Sequence, residues 1–447
     1  MFENIIEQGA VSQLREDILC GRNAPSMLFF GPPESGKGSA ALELARVLSC
    51  EEDASWKCSC SSCERHRYLQ HDDLLVLGRR SFMSEINACC SVFLRSKNAA
   101  SSKLLFFRSL RKLQIRFSPV LMEDDPKFGK ISSVLQSLDE ELDEFLSTNT
   151  ETAEAASLEK LCRNLVKDAL ALDSEGISSV IPINHIRRAA YWCRLASNGK
   201  KKTLIIENAE NMREEARNSL LKLLEEPPSS VNIVLTAQRR EAIMPTILSR
   251  LRPYRFLKRS AESEKEVLRR VFQASDLNSA DLQSTETGRS LVSAYLDSFL
   301  PQNTEKLYPL AAWFIVSIAR LAALSFKKNA AGIPLFITAL GERYAPIADA
   351  AGFERSLKNT DIVKTLISQS GNFEDDSFSR FLKLCLDFAG SVAREAEEPQ
   401  YAAYNDIFKK YISETATAVD VLNQSTTLAL EALLHNLKTA LVRGRYG

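Results

Sequence analysis

Residues 26–38 read SMLFFGPPESGKG. A short apolar run enters a glycine loop, and the helix-forming stretch SAALELARVLSC leaves it. That order suits a buried strand, a phosphate-gripping loop of the form G-x-x-x-x-G-K-[ST], and a helix that turns its positive end toward the anion. Gly31 and Gly36 let backbone N–H groups converge, and Lys37 adds a charge. A chain with this junction is constrained to an α/β sheet of parallel strands. The last position of the loop breaks the pattern. A hydroxyl there would hold a magnesium ion, and the residue is Gly38. Ser39 follows, but a helix turns by about 100° per residue, so its hydroxyl points elsewhere.

The α/β alternation continues on both sides of a long interruption. Residues 3 to 20 have helical spacing, with Ile5, Ile6, Val11, Leu14 and Ile18 apolar. DLLVLG, KKTLII and VNIVLTA read as further buried strands, and REEARNSLLKLLEE as a helix stopped by Pro227 and Pro228. MPTILSRLRPYRF closes the segment. Between about 79 and 180, serine, acidic residues and helical stretches dominate, and no strand pattern is convincing. This reads as an insertion, far longer than an ordinary connection. From about 254 onward the spacing is helical almost throughout.

Hydrolysis of a nucleotide needs a second metal partner at the end of a neighbouring strand, ordinarily Asp followed by Glu. TLIIENAE has Glu207 and Asn208 there. Glu207 retains a carboxylate that could reach a metal through water. An amide has no usable basicity near neutral pH, so Asn208 cannot accept a proton from an attacking water. Gly38 and Asn208 alter two independent parts of the apparatus together. The loop is expected to bind ATP and magnesium weakly or vestigially and to turn over none efficiently. Thr236, at the end of VNIVLTA, reads either as a polar contact to the γ-phosphate or as an ordinary strand-end threonine.

Cys50, Cys58, Cys60 and Cys63 are separated by seven, one and two residues. In a reducing compartment such a cluster points to metal before disulfide. Four thiolates suit a structural, tetrahedral zinc with no open position for catalysis. The single-residue gap leaves Cys58 dependent on a bend in the backbone, with His66 as a conceivable substitute.

GPPESGKG, the cysteine cluster, HDDLLVL, IIENAENM, NSLLKLLEEPP, MPTILSR and the late LALEALL occur in the order expected of bacterial clamp-loader subunits. The chain resembles those of DNA polymerase III, the delta-prime type more than gamma/tau. Delta-prime chains tolerate losses at the metal-ligating and catalytic places, and Asn208 after Glu207 fits that pattern. The most diagnostic pair is LLKLLEEPP followed by PTILSR. The resemblance covers 1–78, 180–257 and more weakly the last few dozen residues, with 79–180 outside it.

This resemblance implies three domains. An AAA+ P-loop domain would occupy 1–253, with the cysteine module at 50–63 and the insertion inside it. A small helical lid at 254–302 and an all-α collar at 303–447 would follow. The collar would join gamma/tau and delta subunits in a ring that loads the sliding clamp onto primed DNA. The chain would act there as a stator, and Arg250 of LSRLR would reach across to a neighbour's ATP. The family's cysteine after that arginine is Leu251 here. A gamma/tau-like motor, in which Ser39 and Glu207 do enough, is the alternative.

Lys+Arg and Asp+Glu both number 57 in 447 residues, so net charge gives no push toward nucleic acid or membrane. Any DNA contact would come from a local patch or through partners. FFRSLRKLQIRF places Arg108, Arg111, Lys112 and Arg116 at spacings of a solvated face on an amphipathic helix, and no function is expected of it. LYPLAAWFIVSIARLAAL is interrupted by Arg320 and reads as a buried helix rather than a membrane span. The N-terminal stretch lacks a signal peptide's basic segment and apolar core, so cytoplasmic residence is expected.

Overall fold

The computed structural model describes all residues except 79, 81, 97–98, 124, 126–127, 150–151, 177–179, 275–289, 300–303, 329–331, 351, 353–358, 371–376, 396–398, 421–423 and 444–447. The chain divides into two compact units, Met1–Leu300 and Pro301–Gly447.

The first unit is built on five parallel strands: β1 (Ser26–Phe30), β2 (Leu74–Leu77), β3 (Lys202–Ile206), β4 (Val231–Ala237) and β5 (Arg252–Arg255), in the order β2-β3-β4-β1-β5. The inner strands are buried on both faces and mostly apolar because helices cover both sides of the sheet, the condition under which parallel sheets occur. Leu28 of β1 pairs with Leu235 of β4, which pairs with Ile206 of β3, and Ile206 pairs with Leu77 of β2. Gly31, Thr236 and Glu207 therefore arrive together at the carboxyl edge, where ligands of open α/β sheets bind.

α1 (Gly9–Leu19) precedes β1, and α2 (Lys37–Ser49) and α3 (Ser61–Arg67) precede β2. The helix expected from residue 3 starts only at Gly9. Phe2 and Glu7 adopt positive φ, and Phe2 is buried with its N–H donating to Glu43. The regular structure described between 79 and 180 is all helical: α4 (Met83–Arg95), α5 (Ala100–Gln114), α6 (Pro119–Met122), α7 (Phe128–Ser147) and α8 (Ala155–Gly176), with α9 (Ile183–Arg194) leading into β3. Phe93, Phe106 and Phe145 from α4, α5 and α7 are fully buried and meet edge to face or stacked, so these helices share the core of the sheet's domain. α10 (Glu214–Glu225), α11 (Pro245–Leu248), α12 (Ala261–Val271) and α13 (Leu291–Ser298) complete the unit.

β5 was not foreseen. Its sequence, RPYR, has a proline and two charges, and it is a strand because it lies at the sheet's edge against β1, where Pro253 interrupts no inner ladder.

The second unit contains α14 (Thr304–Lys328), α15 (Leu335–Ala350), α16 (Asn359–Ser370), α17 (Ser377–Glu395), α18 (Pro399–Asp420) and α19 (Thr426–Arg443). Leu307–Phe326 is long and apolar enough to cross a membrane, but it is mostly buried against the other helices, as an all-round apolar helix at the centre of a helical core must be. Leu430, Leu433, Leu434, Leu437 and Leu441 turn the apolar stripe of α19 inward. The fold is thus an α/β parallel sheet with a long helical insertion, followed by an all-α region.

Candidate functional site

The glycine loop leaves β1 and ends at the first turn of α2. Gly36 has φ +93°, a left-handed conformation that favours glycine, and a Cβ there would lie 2.9 Å from Arg259 Nη2. Gly31 packs on backbone: a Cβ would lie 2.1 Å from the Phe256 carbonyl oxygen. Lys37 turns inward, donating to the Gly31 and Pro32 carbonyls at 2.5 and 2.6 Å. Burial pushes its ammonium down to about 8, against the opposing pull of Glu34, Glu210 and Glu207. Ser39 is exposed.

The decisive geometry surrounds Gly38. A Cβ at that position would stand 2.9 Å from Glu207 Oε1, so the carboxylate fills space that a serine or threonine side chain would take. Glu207 is itself engaged. Its Oε2 accepts from Arg116 Nη2 at 2.6 Å, with both side chains buried, and Arg80 Nε lies 3.9 Å away. Arg80 and Lys112 both pair with Glu85, and the guanidinium groups of Arg80 and Arg116 lie 5.0 and 5.5 Å from the centre of the buried Phe82 ring. Three cations thus share two carboxylates. Burial pushes the Arg116 guanidinium down to about 10, partly offset by Glu207.

The solvated face expected for the basic stretch is therefore a misreading. Arg116 is buried, and Arg108 donates to the carbonyls of His66 and Arg67 at the end of α3. Arg111 binds Gln114 and lies beside Asp139, and Lys112 binds Glu85. These side chains fasten α5 to the cysteine module and to the sheet edge, and cations suit the carbonyl end of a helix. The spacing of basic residues was visible in the sequence; the oxygen atoms they meet were not.

Asn208 has φ +50°, and its N–H donates to Thr236 Oγ1 at 3.1 Å. Thr236 thus connects the ends of β3 and β4. A neighbouring concavity of about 650 Å3 opens at Gly31 and Pro32 and is lined by Arg239, Arg240, Arg255 and Lys258 with Glu241. Sequence reasoning passed over this basic cleft because its residues come from separate loops.

Cys50, Cys58, Cys60 and Cys63 are all buried and their sulfur atoms converge within 4.8 Å of one another. Cys50 Sγ lies 3.6 Å from Cys58 Sγ and 3.8 Å from Cys60 Sγ. Zinc–sulfur bonds of 2.3 Å in a tetrahedron place sulfurs about 3.8 Å apart, so the donor set fits zinc. Backbone N–H groups of Glu52 and Ala54 point at Cys50, and Cys63 N–H points at Cys60. Arg46, paired with Glu43, donates to Cys63 Sγ at 3.0 Å and supplies positive charge beside the thiolates. The short gap before Cys60 does not keep Cys58 out. His66 is not among the converging ligand atoms, which are the four sulfurs; its ring stacks on His71 at 4.1 Å.

Arg250 lies on the surface after α11. Its guanidinium donates to Thr246 O at 2.6 Å and Ser249 Oγ at 3.2 Å, and pairs with Glu225 at 2.7 Å while remaining one-third exposed. Glu225 ends α10, so this ion pair joins LLKLLEEPP to PTILSR, whose Leu224 and Ile247 are buried in the same core.

A family model described as "DNA polymerase III, delta subunit" matches residues 6–92 and 120–260, together half of the chain. The unmatched interval, 93–119, is narrower than the 79–180 that sequence reading set outside the pattern. Among curated proteins, the chain is similar to the DNA polymerase III subunit delta' of Pseudomonas aeruginosa, 32% identical over 84 residues, which are 19% of this chain and 26% of that one. It is also similar to an uncharacterized protein, MG007 homolog, of Mycoplasma pneumoniae, 40% identical over 58 residues, 13% of this chain and 23% of that one. The matches span about a quarter of these relatives' lengths. A solved DNA polymerase III gamma subunit-related protein of Thermotoga maritima aligns at 20% identity over 60% of this chain and 81% of its own, with a TM-score of 0.28.

Proposed function

Since the chain belongs to the DNA polymerase III delta-subunit family, we propose that it is a delta-prime-like stator of a clamp loader. In this reading it joins gamma/tau and delta subunits through its C-terminal helices, and the assembly places the sliding clamp on primed DNA in the cytoplasm. The N-terminal unit would serve as AAA+ domain and lid, and the helical unit as collar. The stator does not hydrolyse ATP itself; it lends Arg250 to the ATP held by its neighbour.

The observation that carries this reading is the state of Glu207, pressed against Gly38 and paired with Arg116. A motor of gamma/tau type needs that carboxylate for a metal ion. Arg250 supports the second half. Exposed ion pairs contribute only about 0–1 kcal/mol, so exchanging the half-exposed Glu225 for a neighbour's phosphate costs little. A guanidinium set against a γ-phosphate is worth roughly 10³–10⁵ in rate. The cysteine module would hold one structural zinc that fixes the α2–α3 connection; it supplies no reaction step.

The test is ATP turnover by a gamma/tau-type partner reconstituted with this chain. Arg250→Ala is expected to lower turnover at the site it serves by about 10³ or more, while the complex still forms. Unchanged turnover in an intact complex would remove the trans-acting arginine from the account.

A further inference from the structure

The geometry points to Arg116 as a built-in cation that stands in the metal's place at the phosphate loop, with Arg80 behind it. The chain's own insertion closes the loop to divalent ions. This deepens the reading of the loop as non-hydrolytic and rests on it, but it does not depend on Arg250 or on any partner.

Three observations converge. First, Glu207 Oε2 is bonded to Arg116 at 2.6 Å, and Oε1 sits where a side chain at position 38 would be. The carboxylate that would hold a metal is drawn into the space that the metal's other protein ligand would need. Gly38 and Arg116 are a matched pair: the glycine leaves room, and the arginine holds the carboxylate in it. Second, the surroundings already carry three cations, Arg80, Lys112 and Arg116, on two carboxylates, Glu85 and Glu207. A divalent ion approaching Glu207 meets these three cations, while Glu34 and Glu210, the loop's other carboxylates, act on Lys37. Third, Arg116 lies in 93–119, the interval that the family model leaves unmatched. Arg80, Glu85 and Glu207 lie within the matched residues, so the arginine at 116 is the part of the arrangement that falls outside them.

Arg116 also keeps donors in reserve. Its Nε and Nη1 are buried and have no hydrogen-bond partner among the described residues. An anion entering the loop meets Lys37 and Arg80, whose Nη1 lies 3.9 Å from the Cβ position of Gly38, and magnesium does not tighten its binding.

The test uses manganese(II) as the probe, with free ion read by electron paramagnetic resonance, and ADP binding measured with and without magnesium. The native chain is expected to retain no manganese at this loop, and magnesium does not tighten its binding of ADP. Arg116→Gln with Arg80→Gln frees Glu207, and manganese retention rises by about tenfold or more, equivalent to 1.4 kcal/mol; adding Glu207→Gln abolishes the gain. A folded double variant that retains no more manganese than the native chain would refute the proposal. Because these changes remove buried partners, the native chain provides a second, independent arm. Native manganese retention that disappears in Glu207→Gln, or ADP binding tightened about tenfold by magnesium, would also refute it. Such a result leaves the role of Arg250 standing, whereas unchanged partner turnover in Arg250→Ala leaves the metal exclusion standing.

Discussion

Replacing Arg116 by Met strips the partner from Glu207 while filling much of the same volume. Arg116 is 6% and Glu207 7% exposed, so the carboxylate left behind has little access to water. Breaking a buried pair from one side costs about 3–5 kcal/mol, chiefly as the penalty of an uncompensated charge. Arg80 remains, with its Nε 3.9 Å from Glu207. At an effective dielectric of 20, a unit pair at that distance attracts by about 4 kcal/mol. Arg80 can therefore recover part of the loss, which places the expected destabilisation near the lower bound, about 3 kcal/mol. Adding Glu207→Gln removes the stranded charge, so the double variant is expected to be more stable than Arg116→Met alone, with a coupling of about 1–3 kcal/mol. Urea unfolding followed by tryptophan fluorescence measures this. Trp56 and Trp192 lie in the first unit and Trp313 in the second, so a Trp313→Phe background isolates the unit that contains the pair. A loss below about 1 kcal/mol, the range of an exposed pair, or a double variant that is less stable by the simple sum of the two changes, would refute the reasoning.

The same network predicts acid sensitivity. Burial would raise the Glu85 carboxyl, but Lys112 and Arg80 hold it down at about 2, below its ordinary 4.5. A depressed folded value contributes stability above the unfolded value and loses it as pH falls, here between about 4.5 and 2; the shift corresponds to about 3 kcal/mol. Glu85→Gln should flatten the pH dependence of the urea midpoint in that window. For the cysteine cluster, metal analysis of the chain purified under reducing conditions is expected to give one zinc per chain, and Cys60→Ser to release it; a metal-free, folded native chain would defeat the assignment.

Much of the architecture was legible because its signals are local. β1, the glycine loop and α2 follow one another without interruption, and β3 and β4 are buried throughout and mostly apolar because both faces are covered. The inserted segment was legible as helical for the same reason. What escaped depends on contacts distant in sequence. β5 is a strand only through its pairing with β1. Arg116 meets Glu207 across 91 positions, and amphipathic spacing cannot tell a lysine or arginine facing water from one facing a carboxylate. Cys58 was an intermediate case. Its residue type announced a ligand, while its reach depended on a backbone bend, and Ala54, with φ +54°, provides a turn in that loop. Gly38 was conspicuous as a missing hydroxyl, yet the sequence did not reveal that Glu207 occupies the space.

The central claim is that this loop has kept the shape of a nucleotide site while the chain's own side chains have displaced its metal chemistry. Steady-state ATP hydrolysis by the isolated chain at saturating magnesium and ATP addresses it most directly. The account predicts turnover no greater than that of Lys37→Ala measured alongside. Robust hydrolysis by the native chain, abolished by Lys37→Ala, would contradict it.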